Sequence, residues 1–162
     1  MLYTSRMIEI IIPGANPLQL KHLVLDVNGT IAKDGQVIKG VTEMLDQLRK
    51  EVDLHLVTAD THGRQEEIDR ILQVAAIRIP PQNQAQAKLD YIEHLGAEGV
   101  AAVGNGANDA AMLERAALGI LVIGPEGTAA EALLKANVVV SDIRDALELL
   151  LFPKRLIATL RR

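Results

Sequence analysis

The sequence predicts an α/β fold, a doubly wound and mainly parallel sheet with helices on both faces. Three observations predict it. Short apolar segments with strand character alternate with segments of helical spacing along most of the chain, the pattern of parallel strands joined by crossover helices. His22–Val27, HLVLDV, is a nearly continuous apolar run, as expected for a strand buried on both faces. No internal repeat or low-complexity linker interrupts the pattern, so residues 1–162 are read as one domain.

The elements follow in order. Met7–Ile12 (MIEIII) reads as a strand stopped by Pro13-Gly14, and His22–Val27 as the first buried strand. Ile31–Ile38 suits a small hairpin around Asp34-Gly35. Val41–Glu51 is helical, with Val41, Met44, Leu45 and Leu48 on one face. Leu54–Ala59 is a strand, Arg64–Val74 a helix, and Ala76–Ile79 a short strand ended by Pro80-Pro81. Gln84–Leu95 is a helix with Gly96 in the C-cap role. Val100–Val103, Ile120–Ile123 and Val138–Val140 are strands; Asn108–Ala117, Thr128–Lys135 and Ile143–Leu151 are helices. Pro153 then opens a basic amphipathic tail, 153–162, with Leu156, Ile157 and Leu160 as its apolar stripe. The plain expectation for the tail is a packed helix with a solvated basic face. A sharper one carries its arginines to the site of a second copy.

Bulk composition removes several function classes. Hydrophobic residues make up 49% of the chain but aromatic ones only 2%, so the core is built from Leu, Ile, Val and Ala. A net charge of -4 argues against nucleic acid as a partner, which needs a basic face. Few aromatics argue against single-strand stacking platforms. The absence of Cys excludes disulfides, thiolate zinc sites and a Cys nucleophile. No apolar stretch approaches the length of a membrane span, and the N-terminus lacks the pattern of a secretory signal. The expectation is a soluble, cytoplasmic protein with no membrane partner.

In an open parallel sheet the site lies beyond the carboxyl ends of the strands, and here three strand ends carry chemistry. The first buried strand runs into Asp26, then Asn28-Gly29-Thr30; the second ends at Thr58, followed by Ala59-Asp60-Thr61-His62-Gly63; a third runs into Gly104-Asn105-Gly106-Ala107-Asn108-Asp109. Lys88 stands on the helix before that third strand. Alone, each has a plain reading: Asn28-Gly29 as a hairpin turn, Thr58 as a turn residue, Lys88 as a solvated charge, Asn108 or Asp109 as a helix cap. Together they suit phosphoryl transfer. Asp26 is the candidate carboxylate nucleophile, which would form an aspartyl phosphate. Thr58 and the backbone amides around Asn28, Gly29 and Ala59 suit phosphoryl oxygens, and Lys88 would neutralise their charge. Asp26 and Asp109 supply oxygen ligands for Mg²⁺, which takes one or two carboxylates and keeps waters.

The series Asp26-x-Asn28-Gly29-Thr30, Thr58, Lys88 and Gly104-Asn105-Gly106-x-Asn108-Asp109 resembles the four motifs of the haloacid dehalogenase superfamily. VTADTHG, GNGANDAAML and PKRLIATLRR are similar to a family of soluble relatives of the P-type ATPase phosphorylation domain. The motifs run from about His22 to Gly124. The resemblance implies a Rossmann-like fold, Mg²⁺ as cofactor, and phosphomonoester hydrolysis through phospho-Asp26 on a small phosphorylated substrate or a phosphoprotein. It also implies metal contacts from the Asn28 backbone carbonyl and from the 105 position, with Asn108 in support. Two positions depart from the family pattern. Asn28 stands where phosphatases carry an acid/base Asp, and an amide does not titrate at neutral pH. Asn105 stands where an acid normally ligates the metal. Slow dephosphorylation and weaker Mg²⁺ binding are expected, and a phosphate-binding or regulatory role with little turnover is the competing reading. A receiver domain of two-component signalling is disfavoured, because its acidic pair comes first in the chain. Thr30–Leu54 and Gly63–Lys88 are too short for a large cap, so the site should stand open unless a second copy of the chain closes it.

Overall fold

The computed structural model describes residues 6–60 and 63–162. Thr61 and His62, within the predicted loop after Thr58, lie outside the described residues. The centre is a six-stranded parallel sheet. Its strands are β3 (His22–Asp26), β6 (Asp53–Thr58), β7 (Ile77–Arg78), β8 (Val100–Gly104), β9 (Leu118–Val122) and β10 (Val138–Val140). They lie in the order β10-β9-β8-β3-β6-β7. β3 pairs with β6 on one side and β8 on the other, with Leu25 level with Leu56 and Val103. The chain winds outward in both directions from β3, so the ends of β3, β6 and β8 form the crevice where such sheets bind ligands.

Side-chain alternation divides the core. Leu23 and Leu25 of β3 join one apolar cluster, Val24 the other. The first cluster is covered by α1 (Val41–Leu48), α2 (Gln65–Leu72), α6 (Ile143–Leu151) and α7 (Pro153–Leu160). The second is covered by α3 (Gln84–Leu95), α4 (Ala110–Arg115) and α5 (Ala130–Leu133). Asp26 shares the parity of Val24, so it points to the layer that contains α3 and Lys88.

Several boundaries differ from the sequence expectation. The predicted strand Met7–Ile12 is β1 (Ile8–Ile10). It pairs antiparallel with an unpredicted strand, β2 (Leu18–Leu20), in a separate two-stranded sheet. β9 starts two residues early because Gly119 continues the strand; a Cβ there would collide with the backbone of Leu113. The predicted helix Asn108–Ala117 begins as a 3-10 turn over Ala107–Asp109 and is α-helical only from Ala110 to Arg115. Thr128–Lys135 shortens to α5. The tail forms α7, with Leu156 buried and Ile157 and Leu160 packed on the first cluster. That is the plain reading of the tail: its apolar stripe packs on its own core.

Between Thr30 and Leu54 stand only the hairpin β4 (Ala32–Lys33) with β5 (Gln36–Val37), and α1. Between Gly63 and Lys88 stand α2, β7 and the start of α3. Among the described residues there is accordingly no large cap over the crevice. No helix among the described residues is long and apolar enough to cross a membrane.

Candidate active site

The centre of the site is a buried ionic triad. Lys88 Nζ donates to Asp26 Oδ1 and to Asp109 Oδ1, both at 2.6 Å. Each side chain arrives from a different element: Asp26 from the end of β3, Lys88 from α3, Asp109 from the turn after β8. Lys88 is 1% exposed and Asp109 is fully buried. A buried ammonium this large is tolerated only when paired and hydrogen-bonded. Burial and the Asp109 charge push the Asp26 carboxyl up to about 6, against the opposing pull of Lys88 and Thr30. Burial works against the charge on Lys88, but Asp26 and Asp109 outweigh it and its pKa is raised.

The turns around the triad are wound tightly. After β3 the Val27 carbonyl accepts from the backbone N–H groups of Thr30, Ile31 and Ala32. This brings the Thr30 hydroxyl back onto Asp26 Oδ2 at 2.8 Å, with Asn105 Oδ1 at 3.2 Å. After β8, Asp109 Oδ2 accepts from the backbone N–H groups of Asn105 and Gly106, both at 3.0 Å. Asp109 therefore fixes the Asn105-Gly106 turn with one oxygen and Lys88 with the other. Gly29 has φ 82°, and a Cβ there would lie 2.6 Å from Glu126 Oε2 and 2.7 Å from Asn105 Nδ2. A side chain there would strain the backbone and push both groups aside.

Above the triad opens a cavity of about 490 Å³, lined by Asp26, Asn28, Thr58, Ala59, Lys88 and Asn105, among others. Thr58 Oγ1 accepts from the backbone N–H of Asp60 at 3.0 Å, and Asn28 Nδ2 lies 3.5 Å from it. Asn108 lines the rim and donates to Gln84 Oε1 at 2.7 Å. The residues predicted from three strand ends and one helix thus meet around one crevice. Asp109 lies beneath the lining rather than in it.

Sequence reasoning missed three residues. Thr30 stood in the first motif, but its contact depends on how the turn winds. Gln84 begins α3, one turn before Lys88. Glu126 lines the cavity from the loop after β9. Applying the strand-end rule to β9 would have pointed to it.

The donor set suits a hard cation: a carboxylate on Asp26, an amide oxygen on Asn105 and the backbone oxygen of Asn28 are all of the type Mg²⁺ prefers. It is poor in charge. Among the described residues no three His, Cys, Asp or Glu side chains are grouped so as to hold a metal ion.

Fold and site together define an α/β protein with a buried carboxylate, an ammonium and a hydroxyl at the switch point of a parallel sheet. Comparison with known proteins gives the family. The family model for haloacid dehalogenase-like hydrolases matches residues 7–117, and the chain belongs to that family. It is 48% identical over 79 residues to the uncharacterised protein MJ0073 of Methanocaldococcus jannaschii, covering 46% of this chain and 85% of that one. The fold is similar to the cobalt-bound deoxy-D-mannose-octulosonate 8-phosphate phosphatase of Haemophilus influenzae. The TM-score is 0.67 at 14% identity, over 82% of this chain and 87% of that one. It is also similar to the 3-deoxy-D-manno-octulosonate 8-phosphate phosphatase of Moraxella catarrhalis, solved with magnesium, phosphate and the sugar acid. There the TM-score is 0.63 at 20% identity, over 88% and 94% of the two chains.

Proposed function

We propose that this chain is a Mg²⁺-dependent phosphohydrolase that works through an aspartyl phosphate on Asp26. The observation that carries the reading is the Asp26–Lys88–Asp109 triad, buried at the floor of an open cavity at the ends of β3 and β8. The magnesium and phosphate in the Moraxella phosphatase of similar fold support it.

In this reading the Asp26 carboxylate attacks phosphorus, and the bond from phosphorus to the leaving oxygen breaks. Lys88 holds the carboxylate in place and offers its charge to the phosphoryl oxygens. Thr58 Oγ1 and the backbone N–H groups at Gly29 and Ala59 bind those oxygens. Asp26, Asn28 through its carbonyl, and Asn105 would hold the cation, while Asp109 fixes the turn that presents Asn105. The cation, when bound, lets an anionic carboxylate approach an anionic ester. Asn28 has no proton to give, so the leaving oxygen takes its proton from solvent, which favours phosphate anhydrides and esters of acidic alcohols. Water then attacks the acyl phosphate, releasing orthophosphate and restoring Asp26. That second step lacks a general base at position 28 and is the slow one.

The same two amides favour a second reading, in which the phosphoenzyme or bound phosphate persists as a signal and turnover is incidental. The open cavity admits a small phosphorylated metabolite or the side chain of a phosphoprotein. A panel of phosphate esters and anhydrides, assayed with and without Mg²⁺, tests the proposal. Mg²⁺-dependent release of phosphate that disappears in Asp26→Asn supports the hydrolase. Phosphate release by Asp26→Asn at the wild-type rate would overturn it.

A further inference from the structure

Asn105 leaves the cation site one carboxylate short, and the fold brings another carboxylate beside it. The loop from β9 to α5 is tied to Asn105. Its backbone carbonyl accepts from Thr128 Oγ1 at 2.7 Å and from the Ala129 N–H at 2.9 Å, and its amide Nδ2 lies 3.4 Å from the Gly127 carbonyl. The Gly127 N–H donates to the Gly124 carbonyl at 3.0 Å, closing a turn that has Glu126 at its corner. Glu126 Oε2 and Asn105 Nδ2 close on the same point above Gly29, at 2.6 and 2.7 Å from the place a Cβ would occupy. A carboxylate at position 105 would set oxygen against oxygen at Gly127 and charge against charge at Glu126. The amide instead docks the loop, and the loop carries the carboxylate. Among the described lining residues, Asp26, Lys88 and Glu126 are the ionisable ones.

We propose that Glu126 completes the divalent-cation site, supplying the negative charge that Asn105 lacks. It does so through water, accepting hydrogen bonds from the waters that Mg²⁺ retains. The inference rests on the cation-dependent reading of the site given above.

The probe is Mn²⁺ alone, titrated into the full chain and followed by the electron paramagnetic resonance of the free ion. Glu126→Gln should weaken Mn²⁺ binding about tenfold, the usual size of an outer-shell loss. Glu126 is exposed, so the substitution spares the core. The same charge change at exposed Glu131 on α5 should shift the dissociation constant by less than about twofold, because solvent and salt screen it. In an Asn105→Asp background, Glu126→Gln should lose most of its effect, since position 105 then carries the charge. Unaltered Mn²⁺ binding by Glu126→Gln, or an undiminished effect in the Asn105→Asp background, would overturn this inference alone. Absence of Mn²⁺ binding by the wild type, or equal binding by Asp26→Asn, would overturn the cation-dependent reading along with it.

Discussion

Lys88 reaches Asp26 across 62 residues of sequence and holds one carboxylate oxygen at 2.6 Å. The same ammonium holds Asp109 at the same distance, so one cation keeps two buried carboxylates from facing each other. Lys88→Met should therefore destabilise the fold by about 3–5 kcal/mol, the cost of stripping a buried charge of its partner. Urea denaturation of the wild type and variant measures it. The loss should shrink on acidification through about pH 6, because protonating Asp26 relieves the repulsion.

Asn28 lines the cavity but its amide cannot carry a proton between pH values used for assay. Asn28→Asp should raise the steady-state rate of phosphate release, by up to about 10²–10⁴-fold where general acid–base help is complete. The phosphoenzyme level at steady state should fall in parallel. A rate unchanged by Asn28→Asp would place the limiting step elsewhere.

Thr30 Oγ1 donates its single proton to Asp26 Oδ2 at 2.8 Å, and Thr30 is itself fully buried. Thr30→Val keeps the shape and removes that donor. A stability loss of about 1.5–3 kcal/mol is expected, the range for a hydrogen bond to a charged group. Thermal unfolding of the pair measures it, and a Thr30→Ser variant should recover most of the loss.

At the opposite end of the strands, His22 Nδ1 lies 3.1 Å from His55 Nε2, and His55 Nδ1 lies 2.8 Å from the Tyr91 hydroxyl. Burial, with His22 beside it, lowers the His55 pKa below its usual 6.5. The folded state thus favours neutral His55. Its contribution to stability is complete above pH 6.5 and declines as the pH falls from there towards the folded pKa. Asp26 works in the other direction, since its raised pKa favours the folded state as pH falls from about 6 towards 3.8. The difference between wild type and His55→Gln isolates the histidine. Chemical denaturation at intervals from pH 7.5 to about 5 should show the variant losing less stability than the wild type.

Much of the site was legible because strand ends are punctuated in the sequence. Asp26, Thr58 and Asn105 each follow an apolar run, and parallel topology then requires those ends to meet. Lys88 was readable as the one ammonium on the helix before the third strand. Its depth was not, since nothing local distinguishes a buried lysine from a solvated one. The inward turn of Asp109 depends on backbone N–H groups at Asn105 and Gly106, which sequence does not display. β2 escaped because Leu18-Gln19-Leu20 is short and its partner, Ile8–Ile10, is held across a loop. Glu126 escaped because the loop after β9 carries no motif of its own, and its approach to Asn105 depends on backbone hydrogen bonds at Thr128, Ala129 and Gly127.

The most direct test is a quenched-flow trapping experiment: a reactive acyl or aryl phosphate, Mg²⁺ and the wild-type chain, followed by peptide mapping. The expected result is a phosphoryl group on the peptide that contains Asp26, removed by hydroxylamine and absent from Asp26→Asn. A phosphoryl group on any other residue, or Mg²⁺-dependent hydrolysis that survives intact in Asp26→Asn, would contradict the account.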